Sequence, residues 1–120
     1  GVLDRKLLEL ASPAIADRRA IEINLPIKNT DRTTGAMLSG EVCVRHGENG
    51  LPEDTIRCRF KGVAGQSFGA FLGKGVTFEL EGLANDYVGK GISGGKIVIY
   101  QNRNSDYDPG ENIIIGNTTF

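Results

Sequence analysis

The sequence predicts a mainly β fold: a single-stranded solenoid of roughly 20-residue coils over 56–120, preceded over 1–55 by a strand and two short helices. Three observations predict it. Seventeen of the 120 residues are Gly, about twice the usual ~7% share. From residue 56 the chain repeats at an interval of twenty, as IRCRFKGVAGQSFGAFLGKG, VTFELEGLANDYVGKGISGG and KIVIYQNRNSDYDPGENIII, with GNTTF beginning again. Twenty residues are too few for a strand and a packed helix with two loops. They suit short strands joined by tight corners, and stacking then pairs each strand with its counterpart one turn away.

Taken from the N-terminus, DRKLLELA sets Leu7, Leu8 and Ala11 on one side, with Asp4 as the expected N-cap and Pro13 as the expected stop of a short helix. IEINLPI alternates Ile21, Ile23, Leu25 and Ile27 with Glu22, Asn24 and Pro26, the period of a half-buried strand. Pro26 has no N–H to give a ladder, so its N side belongs at an edge. A second helix is expected from Thr34 to His46 on Met37, Leu38 and Val42, ended by left-handed Gly47 and Gly50 ahead of Pro52.

Each 20-residue unit opens with a strand whose alternate residues point inward: Ile56, Cys58 and Phe60, then Val76, Phe78 and Leu80, then Val98 and Tyr100. Phe60, Leu80 and Tyr100 are expected to form one internal column. Gly62, Gly82, Gly89, Gly91, Gly94 and Gly95 are expected at corners, where the chain turns at positive φ with little steric cost. Asn85, Asp86 and Asn117 are read as corner residues that satisfy exposed amides, or as an asparagine ladder between coils. The middle of the third unit reads as a bulging loop, after which Ile113, Ile114 and Ile115 resume a buried strand. The stack then has an open end, to be covered by further chain or by a second copy in a homo-oligomer.

Composition bounds the function. Fourteen Lys and Arg against fifteen Asp and Glu give a formal charge of −1, so neither a nucleic acid nor an anionic membrane is an expected partner. Cys43 and Cys58 form no CxxC pair and His46 is the lone His, too few ligands for a metal site. Without a secretory signal, the two thiols are expected to be reduced and the chain cytoplasmic. The start at Gly1 is expected of a trimmed or processed chain.

Two motifs compete with the solenoid. Gly89, Gly91 and Gly94 in GKGISG satisfy GxGxxG, but a strand pattern, KIVIY, follows where a dinucleotide site needs a helix N-terminus. Gly65-Gln66-Ser67-Phe68-Gly69 satisfies GxSxG, yet no helix pattern follows the serine. Solenoid corners account for these glycines together with Gly69, Gly73 and Gly75. His46 reads as a helix-end histidine, and Arg57, Arg59, Lys61, Lys74 and Lys90 interleave with Glu79, Glu81 and Asp86 as a charge-paired face.

PIKNTDR from Pro26, GVAGQSFGAFL from Gly62, LEGLANDYVGKGISGGKIVI from Leu80 and IIIGNT from Ile113 together closely resemble the C-terminal GxGxG domain of the glutamate synthase large subunit. The resemblance covers the chain from about Ile21 to Phe120. It implies a right-handed parallel β-helix and a non-catalytic role, bracing an amidotransferase domain and a synthase domain that hold the catalytic cysteine, the FMN and the iron-sulfur cluster. It implies no cofactor in this chain, and the other domains or subunits of the parent as partners. A related module occurs in a subunit of formylmethanofuran dehydrogenase and in stand-alone archaeal proteins, which gives an alternative role as scaffold of another redox enzyme.

Overall fold

The computed structural model describes residues 2–100 and the backbone of 113–116. Helix α1 runs Val2–Asp17, strand β1 Ile21–Ile27 and helix α2 Ala36–His46; β2 (Ile56–Val63), β3 (Val76–Leu83), β4 (Lys96–Tyr100) and β5 (Ile113–Gly116) follow. Among the described residues, no helix is long and apolar enough to cross a membrane.

α1 corrects two expectations. Pro13 lies inside the helix and does not end it. Leu7, Ala11, Ala14 and Ile15 form one buried stripe, so packing on both sides of the proline outweighs the backbone bond it forfeits. Asp4 is not the N-cap of its own helix, which begins at Val2. Its buried carboxylate reaches across to α2, where Oδ1 accepts the Gly35 N–H at 2.7 Å. Gly35, at φ +106, offers no side-chain cap of its own, so Asp4 takes an orphan amide of the second helix. At the other end Gly47 and Gly50 have positive φ, +64 and +59, but ψ of −157 and −144 puts them outside the expected left-handed helical well.

The strands form one sheet in the order β1-β2-β3-β4-β5. β1 to β4 are parallel, and β1 is its edge, which suits Pro26. β1 joins the stack directly, with Ile23 opposite Cys58 and Leu25 opposite Phe60. Between β2 and β3 the register is the repeat of twenty read in the sequence: Cys58 faces Phe78, Phe60 faces Leu80 and Gly62 faces Gly82.

Between β3 and β4 it is nineteen. Phe78 faces Ile97, Leu80 faces Ile99, and Tyr100 faces Glu81. Tyr100 is therefore not in line with Phe60 and Leu80, and Ile97, not Val98, is the fully buried residue. The slip is local. Gly73 still bridges Ser93, twenty residues on, whereas Thr77 faces Lys96, so the second corner is one residue shorter before the strand begins. With side chains alternating at a period of two, one missing residue turns β4 over. β5 corrects the expected parallel return of Ile113–Ile115: it runs antiparallel to β4, with Ile97 opposite Ile115 and Ile99 opposite Ile113. An antiparallel partner needs only a reversal of the chain, a parallel one a full crossover.

Away from the sheet, hydrogen bonds continue from one turn of chain to the next. Thr33 donates to the Gln66 carbonyl and Gly69 to Thr34, both at 2.8 Å. Ser67 donates to Asp86, Gly89 to Phe68, Phe71 to Lys90 and Ser93 to Leu72, at 2.8 to 2.9 Å. Backbone conformation repeats with them. Ser67, Gly69 and Phe71 stand at φ +59, +71 and +61, and their counterparts Tyr87, Gly89 and Gly91 at +62, +70 and +67. Inside, Phe60, Phe68 and Phe78 pack with ring centroids 5.0 to 5.4 Å apart. Leu38 and Val42 of α2 and Leu7 of α1 belong to the same core.

Candidate functional site: the charged sheet face and the glycine corners

Alternation along β1 to β4 leaves three rows on the outer face of the sheet. Glu22, Arg57, Thr77 and Lys96 are in register in the first; Asn24, Arg59, Glu79 and Val98 in the second; Pro26, Lys61, Glu81 and Tyr100 in the third. Charges pair across strands. Glu79 accepts Arg59 Nε at 2.7 Å and takes Arg57 at 3.4 Å, and Glu22 lies 3.7 Å from the same Arg57. Beside Glu79, the Arg59 guanidinium is raised above its ordinary value by the hydrogen bond and the negative charge.

A second cluster lies at the start of the strands. Thr77 Oγ1 donates to Asp54 at 2.6 Å, and the Lys96 ammonium contacts Glu53 and lies 3.5 Å from Asp54. The Thr77 bond first, then the Lys96 charge, hold the Asp54 carboxyl below its usual range, and the bond to Glu53 raises Lys96. With Lys74, Gly75, Val76 and Gly94 these side chains line a cavity of about 200 Å³. The third row lies under an open groove of about 600 Å³ with Asn24, Leu25, Arg59 and Phe60. Each acid in the two clusters has a basic or hydroxyl partner, so the arrangement pairs charge across neighbouring strands.

The corner residues have structural duties. Gly62 and Gly82 are register partners at φ +137 and +147. A Cβ on Gly62 would run into the Ile27 carbonyl, and one on Gly82 into that of Gly62. Gly91 and Gly94 are left-handed at φ +67 and +89; Gly95 is not, but its missing Cβ would stand 2.6 Å from that of Leu72. Asp86 donates its amide to the Asn85 side chain and gives its carbonyl to Ser67, so this pair closes a corner. Phe60 and Leu80 are buried neighbours, while Tyr100 lies on the outer face beside Glu81. Asn117 is outside the described residues.

Neither competing motif finds its context. The amides of Gly89, Lys90, Ile92, Ser93 and Gly95 each donate to a backbone carbonyl, and strand β4, not a helix, follows the motif. Ser67 has the positive φ of a nucleophile turn, but Tyr87 repeats it twenty residues on, so the conformation belongs to the repeated turn. His46 binds the Ile15 carbonyl at 2.7 Å and ties the ends of the two helices. The described residues do not fit an iron-sulfur cluster. Cys58 is fully buried and its thiol pushed up to about 12 by burial, so it is not a thiolate, and Cys43 is exposed on α2. Sequence reasoning missed the Asp4 contact with α2 and the Asp54, Thr77 and Lys96 cluster, because the first depends on how the two helices pack and the second on strand register, and both join residues far apart in the chain.

Residues 4–120 match a protein family described as GXGXG motif. The chain is 53% identical over 115 residues to glutamate synthase [NADH] of Schizosaccharomyces pombe, covering 96% of this chain and 5% of that protein. It is 50% identical to glutamate synthase [NADH] of Saccharomyces cerevisiae over 98% of this chain and 6% of that one. It is 46% identical to the glutamate synthase [NADPH] large chain of Bacillus subtilis, over 95% and 8% respectively. The chain thus spans under a tenth of the length of these relatives.

Proposed function

Because the chain belongs to the GXGXG motif family, whose pattern runs over residues 4–120, we propose that it is the non-catalytic structural domain of a glutamate synthase, a right-handed parallel β-helix that braces the parts carrying out the chemistry. Hydrolysis of glutamine and the reduction that uses FMN and an iron-sulfur cluster belong, on this reading, to other segments of the parent in the cytoplasm. The observation that carries the reading is the bonding of successive turns both in the sheet and around the opposite side, with Gly62 and Gly82 stacked without side chains between them. Backbone ladders and an internal row of aromatics make a stiff body.

The test is made in the parent polypeptide. Gly82→Val forces a side chain into the Gly62 carbonyl and should break the stack. Each half-reaction, glutamine hydrolysis and ammonia-dependent reduction of 2-oxoglutarate, should persist when assayed alone, while their coupling falls. If Lys96→Met, with the stack intact by hydrogen exchange, abolished a half-reaction, the charged face would be catalytic and the proposal wrong.

A further inference from the structure

We infer that Phe71 and Tyr87 are the side chains with which this domain docks into an apolar recess on a neighbouring domain of its own polypeptide, an inference that rests on the bracing role proposed above. Both are large aromatics at left-handed backbone positions, φ +61 and +62, a conformation that bulky residues avoid. The coil does not require them. One coil away, the same corner positions are filled at nearly the same φ by Gly91 (+67) and Ser67 (+59). Folding explains the corner but not the aromatic rings.

Nor does burial explain them, since Phe71 is 51% and Tyr87 68% exposed. The two belong to adjacent turns joined through one residue. Lys90 donates its amide to the Tyr87 carbonyl at 3.3 Å and accepts that of Phe71 at 2.8 Å. The Phe71 ring lies over Gly91, where a Cβ would stand 2.5 Å from its Cδ1. A half-exposed ring seated on rigid backbone has little entropy left to lose on binding, which is the property of an interface anchor.

The size of the surface selects the occupant. Two half-exposed aromatics, even with the exposed pair Val63 and Leu83 of the same coils, offer roughly 400 Å², half of the ~800 Å² per partner that a stable complex of free proteins needs. A tethered neighbour, held at high effective concentration, needs less. The matched relatives are proteins of which this chain is 5–8%, so such a neighbour is at hand in the chains that resemble it.

Hydroxyl-radical footprinting of the parent polypeptide tests the inference, with the rate expected from each residue's exposure in this structure as reference. Phe71 and Tyr87 should oxidise several-fold more slowly than that exposure gives. If instead they oxidise at that rate while other outer residues such as Lys61 or Tyr100 are protected, the bracing role stands and this docking surface does not. If no residue of the domain is protected, both fall. The parent carrying Phe71→Gly with Tyr87→Ser, residues these corners already accept one coil away, should keep the slow hydrogen exchange of β2 and β3 and be cleaved several-fold faster between domains. Faster exchange in β2 and β3 would show that the rings serve the fold and overturn the inference, as would unchanged cleavage.

Discussion

At Gly82 a hydrogen replaced by a methyl group would collide with the backbone of the neighbouring coil, because the carbonyl of Gly62 occupies the place of a Cβ. Gly47 isolates the other cost of such a change: it too has a positive φ, +64 with ψ −157, but nothing lies within 4 Å of its missing Cβ. Gly47→Ala should therefore lose only the conformational preference, about 1–2 kcal/mol. Gly82→Ala should lose about 3 kcal/mol or more, since the neighbour that must move is a ladder strand. Thermal melts of the two variants measure the gap, and equal losses would show that the coils are not packed as described. Asp4 gives a pH dependence with a definite sign. Burial raises its carboxyl above 3.8, more than the Gly35 amide lowers it, with the nearby Asp31 also raising it. The native state then holds the proton more tightly than the unfolded chain, so stability from this group is full below pH 3.8 and is lost as pH rises through the raised value. Asp4→Asn removes that dependence. The difference in unfolding free energy between variant and wild type should shift in the variant's favour across that window and be flat above it.

Strand β4 is where the sequence and the element part company. The repeat of twenty fits β2 against β3 because Cys58, Phe60, Phe78 and Leu80 alternate with Arg59, Lys61, Glu79 and Glu81, so a slip of one residue would turn the apolar set outward. KIVIY has Ile97, Val98, Ile99 and Tyr100 in succession and offers no such alternation, and the shortened corner before it decides which of them turns inward. The consequence is measurable. Ile97→Thr places a hydroxyl in a fully buried site opposite Phe78 and should cost about 2–3 kcal/mol, whereas Val98→Thr on the outer face beside Glu79 should cost less than about 1. Denaturant titration of both variants decides it, and the reverse order would restore the spacing of twenty through β4. The same reasoning explains what else was legible. Glycine spacing exposed Gly62 and Gly82 as partners, since a repeat of conformation leaves a repeat of residue. The extent of α1 past Pro13 did not show, because the stripe of Leu7, Ala11, Ala14 and Ile15 acts through contacts with the rest of the core that local rules omit.

Over the whole molecule, the helices and the parallel strands among the described residues share one core. Leu7, Ala11 and Ile15 of α1 and Leu38 and Val42 of α2 are buried in the same cluster as Ile56, Phe60, Phe78 and Ile97. α2 is anchored at both ends: Ser39 Oγ bonds the Ala70 carbonyl at 3.2 Å as well as that of Gly35 at 2.6 Å, and His46 holds Ile15 at 2.7 Å. Composition suggests a boundary near residue 55, where glycine and β-branched residues take over, but β1 lies on the N-terminal side of it and pairs with β2 along its full length. Bonds that cross a boundary make its two sides open together. Hydrogen exchange in the parent polypeptide should accordingly give the amides of α2 and those of β2 and β3 the same opening free energy to within about 1 kcal/mol, whereas the ends of α1 exchange faster through fraying. An α2 that opened several kcal/mol more easily than β2 would make the first 55 residues a separate lid. Under the bracing role proposed above, one opening free energy for the helices and the sheet would mean that load applied to α1 and α2 reaches β2 and β3 through the shared core.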